Sequence, residues 1–190
     1  WKEDGRTFHR LGFDAVFFSV GAQRRISLSI EGKHLKGVLS GLEFLRHIHL
    51  GKKMSVGDRV VVIGGGNVAV DVARSAWRLG AKQVQMACLE SREEMPAIHE
   101  EVEEAIREGV KIHLLASPVK IIGRGERAIG MKFARMSLDG IGSSFRLYAD
   151  TIIAAIGQRV DRKVLNGFDL NQDGTLRVDP ETGETSMKGV

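Results

Sequence analysis

The sequence predicts an α/β fold in which helices flank a parallel sheet and an antiparallel β-meander is inserted after the helical part. Three observations carry that expectation. Residues 60–63, VVVI, run directly into three glycines and then into a segment of good helix formers, which is the order strand, tight turn, helix. Residues 83–89 and 111–115 read as further strands, with a helical pattern between them, so strands and helices alternate as a parallel sheet requires. From residue 119 onward the helical spacing stops, and short apolar runs follow one another across glycine-rich turns.

Each element follows from local chemistry. Residues 13–20, FDAVFFSV, form a continuous apolar run rich in aromatic and β-branched residues, predicting a buried strand that ends at Gly21. Residues 23–36 are polar and irregular and read as a crossover. Ser40 is placed to cap a helix over residues 41–50, with Leu42, Leu45 and Ile48 on one face and Gly51 as its stop. His47 and His49 flank Ile48 and point different ways on a helix, which argues against a metal pair. The helix after the glycines should end near Leu79, with Gly80 beyond it. Ser91 and Glu94 have capping-box spacing, Pro96 suits the first turn of another helix, and that helix should stop at Gly109. Glu103 and Arg107 can pair across one turn for a few tenths of a kcal/mol. The meander is expected as residues 119–123, 128–136 and 144–148, followed by an all-apolar strand at 151–156 and a possible short strand at 175–178.

The spacing Gly64-x-Gly66-x-x-Ala69 between a buried-type strand and a helix is the dinucleotide fingerprint in its alanine-ended form, which makes the sheet Rossmann-like. Gly64 allows a sharp turn, Gly66 lets a pyrophosphate approach the backbone, and small Ala69 lets the helix lie close on the strand. The first N–H groups of the helix and its positive dipole end then face the phosphates. Asn67 and Asp71, four positions apart on that helix, either touch the coenzyme or tie the turn to a neighbouring strand. At the tip of the next strand stand Cys88, Leu89, Glu90, Ser91 and Arg92. A carboxylate at Glu90 would accept both ribose hydroxyls and oppose a 2′-phosphate; two such charges about 4 Å apart cost on the order of 4 kcal/mol. That favours NAD(H) over NADP(H). Arg92 argues the other way, because it could swing onto a 2′-phosphate, or else pair with Glu90 or Glu93.

Composition narrows the function classes. The 190 residues are enough for one domain with terminal appendages, and a 43% hydrophobic share supplies a core. The net charge of +4 is spread without a basic run, and aromatics are 6% of the chain, so nucleic-acid binding is not expected. Cys88 is the only cysteine, which excludes an internal disulfide and a CxxC metal site. No stretch of 18 apolar residues occurs and the first residues do not read as a signal peptide, so no membrane insertion and a cytoplasmic setting are expected. No hydrolytic nucleophile with its base stands out. A domain that only positions a nicotinamide needs neither, since hydride transfer calls for geometry and exclusion of water.

GGGNVAVDVARSAWRLGAKQV, then SREEMPA, then EEVEEAIREGV together resemble the pyridine-nucleotide domain of the glutamate synthase small-subunit family, which includes related domains of iron–sulfur-linked flavoprotein subunits. The flanks agree: FDAVFFSVGA resembles the segment returning from an FAD domain, TIIAAIGQR the end of the nucleotide domain, and TSMKGV the segment re-entering the FAD domain. The resemblance implies a flavoprotein of the type with two dinucleotide-binding domains. Residues 1–40 would return from an FAD domain mostly absent here, 41–160 would bind NAD(P)H, and 161–190 would lead back. FAD would sit in the full-length protein, with an iron–sulfur or large catalytic subunit as partner. By the same resemblance Gly64, Gly65, Gly66, Asn67 and Val68 hold the pyrophosphate and Gly157 approaches the nicotinamide half. The family commonly has two arginines where this chain has Leu89-Glu90, a departure that again points to NADH. Two other readings compete: a nucleotide-binding or docking module without turnover, and an S-adenosylmethionine methyltransferase, which the meander and the AIGQR strand disfavour.

Overall fold

A computed structural model describes residues 12–22, 24–137 and 140–190. In chain order the elements are β1 (Arg24–Arg25), β2 (Val38–Ser40), α1 (Gly41–His49), β3 (Arg59–Ile63), α2 (Asn67–Arg78), β4 (Gln83–Ala87), α3 (His99–Arg107), β5 (Lys111–His113), β6 (Ala116–Arg124), β7 (Arg127–Ser137), β8 (Gly140–Tyr148), β9 (Thr151–Ala154) and β10 (Gln158–Arg159). They divide into two compact units, Ser27–Gly157 and a second made of the segment up to Ile26 with Gln158–Val190.

In the larger unit, five parallel strands among the described residues stand in the order β2-β9-β3-β4-β5. The antiparallel meander β6-β7-β8 covers one face of this sheet, and helices cover the other. The continuous apolar run of β3 is explained by burial on both sides. Val60 and Val62 pack into a core with Phe44 of α1, Val70 and Ala73 of α2, and Val102 and Ala105 of α3. Val61 and Ile63 pack with Met131, Phe133 and Leu147 of the meander. Ile63 registers with Ala87 of β4 and with Ala154 of β9, so three strands end level. The step from β3 through α2 to β4 is the expected βαβ unit, and the predicted α/β class with its inserted meander is what forms.

Several local expectations are corrected. Ser40 stands at the N-cap of α1, but its side chain makes no capping hydrogen bond; Leu45 and Ile48 of the expected face pack against the core, and Phe44, not foreseen, is its fully buried anchor. Ser91 N–H does donate to Glu94 Oε2 at 3.2 Å, yet the helix begins only at His99, so that pair closes a turn and Pro96 lies in the loop before α3. Glu103 and Arg107 do not pair through their charges; Arg107 Nε donates to the Glu103 carbonyl at 3.3 Å. The two helices are instead joined by Arg74 of α2, which reaches Glu104 and Glu108, each at 2.8 Å, with Arg78 also on Glu108 at 2.9 Å. Among the described residues no helix is long and apolar enough to cross a membrane.

In the smaller unit, β1 and β10 pair antiparallel, and Arg24 grips Asp161 through Nε and Nη2 at 2.9 and 2.6 Å. Residues 13–20 form no strand: Val16 N–H donates to the Gly189 carbonyl at 2.8 Å, but no β-ladder among the described residues takes in the run. Apolar content alone cannot make a strand without a sheet edge to receive its backbone groups. The short strand expected near residue 175 is reduced to isolated bridges, Leu170 with Leu176 and Val178 with Thr185.

Candidate functional site

The level ends of β3, β4 and β9 leave a crevice beyond the carboxyl edge of the sheet, where α/β folds bind ligands. The glycine turn crosses it. Gly64 N–H donates to the Ala87 carbonyl at 2.9 Å, and its φ of +137° is a conformation that side chains rarely adopt. A Cβ there would stand 2.3 Å from the Ala155 carbonyl oxygen. Gly66 is different. Its φ of −92° suits any residue, and a Cβ there would meet nothing within 4 Å. Gly66 is the N-cap of α2, and the N–H groups of Asn67 and Val68 carry no hydrogen bond among the described residues. Open space before a helix start with unused donors is what a pyrophosphate needs.

The crevice holds a cavity of about 330 Å³. Its walls are the turn and helix start (residues 64–68), the tip of β4 (residues 87–90), the tip of β9 (residues 155–157), and Pro96, Ala116 and Pro118. Gly64, Gly65, Gly66, Asn67, Val68, Glu90 and Gly157 are therefore brought together. Ser91 and Arg92 are not among the lining residues. Ser91 N–H is taken by Glu94, and Arg92 donates through Nη2 to the Glu103 carboxylate, with Nη1 3.9 Å from Met95 Sδ. Asn67 ties the turn to α3, since its Oδ1 accepts the Ile98 N–H at 2.8 Å. Asp71 is exposed and has no partner among the described residues.

The β4 tip is fixed by its backbone. The Cys88 carbonyl accepts from Ala116 N–H at 2.7 Å and the Glu90 carbonyl from Leu115 N–H at 3.1 Å. Leu115 reaches that position with φ of 52°, a left-handed turn on a residue that seldom makes one. The Glu90 side chain folds back over the turn: its Oε2 would be 2.8 Å from a Cβ on Gly65. Burial, and then the neighbouring Glu90 charge, push the Cys88 thiol up to about 11. Burial, with Arg135 and Lys111 adding to it, holds His113 below the usual imidazole value, and its Nε2 lies 2.9 Å from Gln85 Oε1. A neutral ring donating to that amide oxygen satisfies both groups. No cluster of His, Cys, Asp or Glu among the described residues is arranged to hold a metal. The contributions of Ala155, Ile156, Pro96, Ala116 and Pro118 were not foreseen; the AIGQ strand end at Gly157 was the one sequence signal leading to part of them.

Comparison with known proteins agrees with this geometry. The family model described as pyridine nucleotide-disulphide oxidoreductase matches residues 2–190. The NADP(+)-dependent formate dehydrogenase subunit beta of Moorella thermoacetica is 38% identical over 94% of this chain, which spans 27% of that protein. NADPH-Fe(3+) oxidoreductase subunit beta of Geobacter sulfurreducens is 38% identical over 86% of this chain, again 27% of the relative. The resemblance to glutamate synthase is borne out by the small chain of Azospirillum brasilense, 30% identical over 93% of this chain and 42% of its own length. T. acidophilum thioredoxin reductase shares the fold at a TM-score of 0.71 and 20% identity, over 89% of this chain and 53% of that one.

The preference for NAD(H) is overturned. These relatives are named for NADP(+) or NADPH, against what Glu90 suggested. One carboxylate does not settle the choice: the Glu90 side chain lies over the glycine turn at Gly65, and a guanidinium, Arg92, follows two residues on. By its match along nearly its whole length, the chain belongs to the pyridine nucleotide-disulphide oxidoreductase family.

Proposed function

We propose that the unit Ser27–Gly157 binds NADPH and positions its nicotinamide for hydride exchange with a flavin held by another part of a longer flavoprotein subunit. The open space in front of Gly66, at the start of α2, is the observation that carries this reading. The nicotinamide supplies the hydride; the chain supplies binding, orientation and exclusion of water. The N–H groups of Asn67 and Val68 would take the pyrophosphate, with Gly64 and Gly65 shaping the turn beneath it. Glu90, lying over Gly65, is placed for a ribose hydroxyl. Ser91 and Arg92 are the groups at the β4 tip suited to a 2′-phosphate, Arg92 through its planar fork. The apolar walls at Ala155, Ile156 and Gly157 would lead to the nicotinamide half. The segments up to Ile26 and from Gln158 would belong with the FAD domain. The relatives named as beta or small subunits support a partner catalytic subunit; iron–sulfur centres would then be the onward route for electrons, in a cytoplasmic complex.

Calorimetric titration of this chain tests the binding half. NADPH should bind more tightly than NADH, and binding of neither would refute it. Anaerobic addition of NADPH to the full-length protein should bleach a flavin absorbance; absence of any flavin would leave a nucleotide-docking module as the better account.

A further inference from the structure

We propose that Glu103 of α3 sets how strongly the cleft discriminates in favour of a 2′-phosphate, by competing with that phosphate for Arg92. The proposal rests on the reading above that Arg92 meets the phosphate of NADPH. Three observations carry it. Arg92 follows the cleft-lining Glu90 by two positions, yet is itself not part of the lining. Its Nη2 donates to Glu103 Oε1, and Nη1 rests near Met95 Sδ, so the guanidinium is pinned against α3. The two side chains are 23% and 45% exposed, so the pair is neither fully solvated nor locked in a core, and it can open. His99 Nε2 lies 3.9 Å from the same Glu103 oxygen, too far to hydrogen-bond in the arginine's place.

A phosphate dianion binds a guanidinium best along its planar edge. Reaching that edge requires the Arg92–Glu103 pair to open, and the freed carboxylate then stands near a second negative group. Both effects weaken NADPH and leave NADH untouched, because NADH presents nothing to Arg92. Glu103 is therefore a specificity-determining residue that contacts no part of the coenzyme.

The test is calorimetric titration of the wild-type chain, Glu103→Gln, Arg92→Gln and the double variant with NADPH and with NADH. Glu103→Gln should tighten NADPH by about fivefold, the size of effect a partly exposed ion pair carries, with NADH changed by less than about twofold. In the Arg92→Gln background the same substitution should do nothing. If the wild type prefers NADPH but Glu103→Gln leaves its affinity unchanged or weaker, the competition is refuted while the coenzyme reading stands. If the wild type shows no preference for NADPH, the coenzyme reading itself fails. Thermal melts confirm folding, and Glu103→Ala gives a second variant whose NADPH affinity should move the same way.

Discussion

Two glycines two positions apart in one turn should fail in opposite ways when given a methyl group. At Gly64 the φ of +137° costs a non-glycine residue about 1–3 kcal/mol. The added Cβ would also stand 2.3 Å from the Ala155 carbonyl oxygen, a backbone atom that cannot rotate aside. Forcing that edge apart resembles overpacking and adds about 1–3 kcal/mol. Gly64→Ala should thus lose about 2–6 kcal/mol, or roughly 5–20 °C in Tm for a chain of this size. At Gly66 the φ of −92° suits alanine and the methyl meets nothing within 4 Å. Only the weaker N-cap preference of alanine is lost, about 0.5 kcal/mol. The methyl would however stand where the pyrophosphate approaches, and losing one charge-assisted hydrogen bond costs about 1.5–3 kcal/mol, or about 10–100-fold in Kd. Thermal melting and NADPH titration of both variants separate the two losses. Normal coenzyme affinity in Gly66→Ala, or a wild-type melting point in Gly64→Ala, would refute the assignment of space to ligand and strain to fold.

Other residues give independent checks. Asn67→Ala removes the acceptor for Ile98 N–H; a loss of about 1 kcal/mol and faster amide exchange at the start of α3 are expected, measured by melting and hydrogen-exchange mass spectrometry. The Glu108 carboxyl is held below its unfolded value of 4.5, chiefly by its hydrogen bond to Arg74. The stability it contributes is therefore full above that value and is lost as pH falls through the lower folded one. Arg74→Met should lower the melting temperature at neutral pH and flatten the acid limb of the stability curve; an unaltered acid limb would contradict the assigned cause. With its thiol pushed up to about 11, Cys88 should resist iodoacetamide at pH 8 in the folded chain and react once unfolded, as a mass shift would report.

Much of the fold was legible because its signals are local. The run at residues 60–63 must be a buried strand, the glycines must turn, and the spacing after them must be a helix. Elements that depend on distant partners were not legible. Residues 13–20 have the composition of a strand, but composition does not say whether a sheet edge is available. Ser91 and Glu94 have the pattern of a helix start, yet the start of α3 is fixed by Asn67, thirty-one positions before Ile98. Glu103 had an apparent partner one turn away in Arg107 and is taken by Arg92 from the loop before the helix. The glycines and Glu90 that line the cavity could be picked out from spacing, whereas Leu115, which shapes the β4 tip, could not, since nothing about leucine announces a positive φ. The coenzyme preference failed because it rested on the charge of one residue, Glu90, when Arg92, two positions on, argues the other way.

Because β3 gives alternate side chains to the helix side and to the meander side, neither layer can melt and leave the other a finished interior. Loss of either would expose half of the same strand to water. The amides of Val61 and Val62 should accordingly exchange only when the whole unit opens. A ligand gripping the end of this strand would then slow the opening of parts of the molecule that it never touches.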